Sequence, residues 1–186
     1  MSSRCASERL ASLRLDAQRS VEQAGDQKDD ALALLAVEDV HAASQSPSRL
    51  LITASTQQSV ETLARRIHGS GPRAQFPFVM TSAGELPVGA QALRDGCVCV
   101  LDAAAGGSVL VSAVEEMPAA VQEALIDLLA GLESARRPSA AVRLISGTTV
   151  SLLDRVAAGR FSERLFYRLN IIHLVAGAGP PEATLT

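Results

Sequence analysis

The spacing of apolar residues divides this chain into alternating helical and extended segments. Leu10, Leu13, Ala17 and Val21 recur at helical spacing, so a helix is expected over about 7–21 with Ser7 as its cap. The polar stretch GDQKDD at 25–30 reads as a linker, and a second helix is expected over about 31–43, with Leu32, Leu35 and Val40 on one side. SQSPS at 44–48 breaks that pattern. Short apolar runs then predict strands at about 50–53, 76–80, 108–114, 142–146 and 171–175. Between them, helical spacing covers 60–68 (Leu63, Ala64, Ile67), a stretch opened by Pro118 (Val121, Leu125, Leu128, Leu132), 151–158 and 163–169. Residues 84–105 stay ambiguous, because Cys97–Leu101 fits either an added strand or part of a helix.

Strands that alternate with helices pair in parallel through right-handed crossovers. Their continuous apolar runs, rather than alternating ones, mean that both faces are covered. The expected fold is therefore a doubly wound parallel α/β sheet. The expected organisation is a helical extension at 1–43, an α/β domain at 44–175 and a flexible tail, AGAGPPEATLT, at 176–186.

Composition narrows the function classes. A chain of 186 residues suits one hydrophobic core, and its 47% hydrophobic and 20% charged residues are ordinary for a globular domain. A formal charge of −3 gives no basic footprint, so direct binding to DNA is not expected. No apolar run reaches the ~18 residues of a membrane span, and the N-terminus lacks the apolar centre of a signal peptide, so a cytoplasmic location is expected. Cys5, Cys97 and Cys99 form no C-x-x-C pair and read as buried structural thiols; no metal site is expected. His41, His68 and His173 are scattered, and a cationic ring at His68 would suit the end of its helix. No G-x-S-x-G context surrounds any serine. Of the 17 basic residues only Lys28 is a lysine.

Two stretches carry a more specific signal, GGSVLVSAVEEMPAAVQEALIDLLAGLE at 106–133 and VRLISGTTVSLLDRVAAGRFSERLFYRLNIIHL at 142–174. In this order they resemble the central AAA+ domain of the sigma-54-dependent transcription activators (bacterial enhancer-binding proteins). A third stretch, RLLITASTQQSVETLARRIH at 49–68, fits the segment around that family's phosphate loop without a gap, and the likeness covers about 45–175. It implies a P-loop NTPase-type sheet of five parallel strands ordered 5-1-4-3-2. It also implies an ATPase site, with surfaces that assemble into a ring.

The positions that would carry that chemistry are replaced. The resemblance places a glycine-rich phosphate loop ending in Gly-Lys after the first strand; here the corresponding residues are Ala54, Ser55, Thr56, Gln57, Gln58, Ser59 and Val60, with Val60 at the lysine position. Without glycine, the left-handed backbone angles of a phosphate nest are costly. The resemblance places Asp-Glu at the end of the third strand for magnesium and water; here Ser112 and Ala113 stand there, and neither can balance a divalent cation. Glu115 and Glu116 fall after the strand and read as a solvated turn, while Thr149 takes the position of the polar sensor on the fourth strand. Of two arginines that act across the family's subunit interface, Arg168 matches the second and Ser162 stands at the first; Arg164 is two positions from Ser162 and faces elsewhere on a helix. Retention of Arg168 reads as a surface or interface pairing. The run from Gly84 to Gly107 lacks the family's Gly-Ala-Phe-Thr-Gly-Ala loop, and the family's helical lid and DNA-reading helix-turn-helix are not expected in the 186 residues.

The sequence thus leads to a non-catalytic, AAA+-derived regulatory module without nucleotide or other cofactor. Its expected partner is a protein, either itself or an AAA+ activator, in transcriptional regulation. Two other readings stay open: a residual nucleotide-binding enzyme with an altered pocket, and a scaffold repurposed for an unrelated partner through the 1–43 helices.

Overall fold

The computed structural model describes residues 37–87, 90–134 and 142–176. The helix expected over 7–21, the linker with Lys28, Cys5 and the chain after Ala176 lie outside these residues. In order come α1 (Val37–Gln45), β1 (Leu50–Ala54), α2 (Gln57–Gly69), β2 (Phe78–Ser82), α3 (Ala90–Ala103), β3 (Ser108–Ser112), α4 (Ala119–Ser134), β4 (Arg143–Thr148), α5 (Leu152–Ala157), α6 (Glu163–Leu169) and β5 (Ile172–Ala176). Short 3₁₀ turns follow β2 and β3, at Ala83–Glu85 and Val114–Glu116.

The strands form one parallel sheet in the order β2-β3-β4-β1-β5. This is the order the resemblance implied, read from the other edge. Side chains alternate across each strand, and both faces are covered. Leu50, Ile52, Leu110, Ile145 and Leu174 pack with α1 and α2 on one face. Leu51, Val109 and Val111 pack with α4, α5 and α6 on the other, where α3 adds Cys97 and Val100. The two-sided burial explains why the strands read as apolar runs. Among the described residues no helix is long and apolar enough to cross a membrane.

Several boundaries differ from the sequence expectation for local physical reasons. The ambiguous stretch is helix α3, which sets Cys97 and Cys99 on different sides: Cys97 is half-buried and Cys99 exposed, so Cys99 is not a buried structural thiol. β2 starts at Phe78 rather than Phe76, because Pro77 has no N–H to give a ladder. β3 stops at Ser112, since Ala113 turns into the left-handed region at φ 53°. Helix α1 runs across the expected boundary between 43 and 44, and Val40 and Ala43 lie in the core. His68 is not a cationic cap. It is buried, and desolvation holds its ring below the ordinary histidine range.

Gly106 and Gly107 make the entry to β3 possible. Gly106 takes φ +75°, and a Cβ on Gly107 would sit 1.9 Å from the Pro77 carbonyl oxygen. That close approach lets Ser108 N donate to the same carbonyl at 3.0 Å. Gly107→Ala is expected to cost about 3 kcal/mol, at the upper end of overpacking effects, because backbone rather than a mobile side chain blocks the methyl. Gly69→Ala is the matched control, with nothing within 4 Å of the added carbon, and is expected to stay within about 0.5 kcal/mol of the parent. Urea unfolding of the three proteins measures both.

Candidate site at the carboxyl edge of the sheet

Ligands of doubly wound sheets gather outside the strand carboxyl ends, where neighbouring strands send their helices to opposite faces. In this chain that point lies between β1 and β4. β1 feeds α2 on one face, whereas β4 feeds α5 and α6 on the other. The fold therefore brings the ends of β1, β3 and β4 to one edge, and with them the positions singled out in the sequence.

The segment after β1 is short. Ala54 closes the strand and is buried; only Ser55 and Thr56 separate it from α2. Thr56 caps the helix, its hydroxyl accepting from Ser59 N at 3.1 Å and meeting the Ser59 hydroxyl at 2.8 Å. Val60 N donates to Thr56 O at 3.1 Å, so Gln57, Gln58 and Ser59 are already wound into the helix. None of residues 54–60 has a positive φ, so the alternating right- and left-handed backbone of a phosphate nest is not formed there. Gln57 Oε1 is buried without a partner among the described residues.

Val60 is 0% exposed. Its Cγ1 lies 2.2 Å from where a Cβ on Gly147 of β4 would be, with Leu110 Cδ1 3.6 Å from the same point. The side chain is lodged against the Gly147 backbone in the core beneath α2, and it does not point toward the edge of the sheet.

At the end of β3, Ser112 Oγ donates to Thr81 O at 3.4 Å and so is turned toward β2. Ala113, the only non-glycine residue with positive φ among the described residues, spends about 1–2 kcal/mol on that conformation. The kink buries Val114 and swings the next residue across the edge. Glu115 Oε1 accepts from Thr149 N at 3.0 Å and from Thr149 Oγ1 at 2.8 Å. Glu115 Oε2 is buried without a partner among the described residues. The solvated-turn reading of Glu115 is thus incorrect: the carboxylate ties the ends of β3 and β4 together. Sequence spacing gave no sign of this, because the contact joins residues 34 positions apart and depends on one left-handed alanine. Among the described residues no group of three or more His, Cys, Asp or Glu side chains is arranged to hold a metal ion.

The helix before β5 is capped by Ser162, whose hydroxyl accepts from Leu165 N at 3.5 Å and whose own N–H donates to Gln122 Oε1 at 2.7 Å. Arg164 reaches Glu123 at 3.9 Å in an exposed pair, which contributes little. Arg168 lies in the last turn of α6, partly buried. Beside it Tyr167 is 62% exposed, although Phe166 is buried.

Residues 88–175 match the family described as the Sigma-54 interaction domain. The regulatory protein AtoC of Escherichia coli (strain K12) is 32% identical over 151 residues, which is 70% of this chain and 32% of AtoC. The chain spans about a third of the length of the curated relatives it matches. Among solved structures, NtrX from Brucella abortus in complex with ADP has a TM-score of 0.68 at 26% identity, over 88% of this chain and 41% of that one. The P-loop NTPase domain of the Sigma-54 transport activator from E. coli shares the fold, with a TM-score of 0.54 at 20% identity, over 77% of this chain and 92% of that one.

The Val60–Gly147 contact is open to a double-mutant cycle. Gly147→Ala is expected to cost about 2 kcal/mol, and Val60→Ala in the same chain to recover at least about 1 kcal/mol of it. Additive losses would mean that the two residues do not oppose one another. Val60→Lys is expected to cost about 3 kcal/mol or more, because the ammonium would enter an apolar core. Urea unfolding reads each difference.

Proposed function

We propose that this chain, a homologue of the sigma-54 activators by sequence and by fold, is a non-catalytic regulatory module that acts by protein contact in transcriptional regulation. The observation that carries the proposal is Val60 buried against Gly147. Where the related domains are expected to present a lysine to phosphate, this residue fills the core, and the first turn of α2 occupies the path of a phosphate loop. The residues at the edge do not fit ATP with magnesium. The only lysine is Lys28, Ser112 is engaged with Thr81, the Ala113 side chain has no ligating atom, and one oxygen of the nearby Glu115 carboxylate is committed to Thr149.

The partner in this proposal is a second copy of the chain or an active sigma-54 activator. Arg168 supports it. The arginine is kept where the resemblance implies a subunit contact, although the other positions of that constellation are changed. Tyr167, Ile171 and Val175 add an exposed apolar surface on the same part of the chain. A subunit that contributes no nucleotide chemistry would act by occupying a place in the partner's assembly.

Two measurements test this. Millimolar ATP or ADP with magnesium is expected to leave the melting temperature unchanged; a saturable rise would identify a nucleotide-binding protein instead, since ligands that bind only the folded state raise it. Capture of a purified sigma-54 activator domain, or self-association by sizing chromatography, is expected. Arg168→Ala is expected to weaken whichever occurs about tenfold or more, in the range of an interface arginine. Failure of both associations would leave the interaction proposal without support.

A further inference from the structure

β2 is an edge strand, bonded on one side only, to β3. All five of its residues are partly exposed, whereas Leu50, Leu51 and Ile52 of β1 are sealed. Phe78, Val79 and Met80 pack against the two faces of the core. Its remaining tie to α2 runs through its entry, where the chain turns between residues 71 and 76.

His68 stands at that entry, in the last turn of α2, and is buried. Its Nε2 lies 3.1 Å from Phe76 O, and its Nδ1 lies 3.1 Å from Ser108 Oγ at the start of β3. A carbonyl only accepts, so Nε2 carries a proton and donates to Phe76. In the neutral ring Nδ1 then accepts from the Ser108 hydroxyl. The ring also packs on Phe78, the first residue of β2, with centroids 5.0 Å apart. One side chain thus joins the end of α2, the entry to β2 and the start of β3.

The surroundings favour the neutral form of this ring. Arg73, from the segment entering β2, donates to Gly106 O, and Arg143 of β4 donates to Ser48 O and Ala43 O. α1 and β3 bring Ser44, Gln45 and Ser108, which carry no charge. Burial is the main cause that lowers the His68 ionisation from 6.5; the Phe76 carbonyl opposes it, while Arg143 and Arg73 reinforce it. Because burial comes first, the direction does not depend on how either arginine is paired. A histidine lowered on folding contributes stability that is complete above pH 6.5 and is lost as pH falls below it. A cavity of about 430 Å³ opens beside the ring. It gives a charged imidazole a place to be hydrated, so protonation need not unfold the sheet.

We propose that His68 is a proton-operated latch for the edge strand, closed while the ring is neutral and released when it takes a second proton. Release frees the segment 71–82 from α2, while the pairing of β3, β4, β1 and β5 is kept. The device is separate from the carboxyl edge and does not rest on the partner proposed above.

Hydrogen exchange of the full chain tests this, read by mass spectrometry and referenced to the intrinsic rate at each pH. From about pH 7.5 to about pH 5, protection of peptides covering 76–82 is expected to fall about tenfold, whereas peptides from β1 and β4 keep theirs. His68→Gln, whose amide can donate to Phe76 O and does not titrate, is expected to lose this pH dependence. If that variant does not fold, the His68 ring is titrated in the parent by nuclear magnetic resonance. Its signal is assigned by elimination with His41→Gln and His173→Gln. The midpoint is expected below 6.5, with the opening of β2 following it. Unchanged protection in the parent, or an equal fall in folded His68→Gln, would overturn the proposal. So would an equal fall across β1 and β4, or a His68 midpoint at or above 6.5.

Discussion

The contact between Val60 and Gly147 governs the carboxyl edge of this sheet. Burying a valine side chain is worth about 1.5–3 kcal/mol, and here it is available only because position 147 has no side chain in the way. The contact holds α2 against β4 at its first turn. It therefore sets where the helix begins, which leaves two residues to join it to β1. An ammonium could not occupy the same place without losing its water. The proposed difference from a phosphate-binding edge thus lies in the packing of the core as well as at the surface.

The two edges of the sheet are built from different groups. At the carboxyl edge, the left-handed turn at Ala113 delivers a carboxylate onto Thr149, and the strand ends are joined by hydrogen bonds within the protein. At the amino edge, Arg73, Arg143 and His68 line a cavity. Parallel strands make this separation natural, because every strand and every returning helix points the same way along the sheet. A doubly wound domain normally places its ligand at the first edge. In this molecule the cationic lining lies at the second.

Relationship and proposed function rest on different physical grounds here. What the chain shares with the sigma-54 activators is the sheet order, the apolar stripes and the strings around 106–133 and 142–174, all of which are requirements of packing. What departs from the pattern the resemblance implies is a handful of side chains near the ends of three strands, and one of them, Val60, is itself part of the core. Such positions can change without loss of the fold, since fold and site chemistry rest on different residues.

The strands, the helices flanking them and the parallel sheet were legible in the sequence. Apolar spacing reports burial directly, and the strings around Gly106–Gly107 and Phe161–Asn170 supplied the strand order. The residue identities on which the proposed loss of the phosphate-loop and magnesium positions rests were legible as well. The reason Val60 is valine was not, since it lies in a glycine 87 positions further on. Nor was the role of Glu115, which depends on a backbone angle at Ala113 that no side chain announces. The helix over Ala90–Ala103 and the lowered ionisation of His68 were decided by burial against distant elements. Local pattern determined which residues go inside; only the tertiary structure decided which of them meet, because those meetings join segments far apart in the chain.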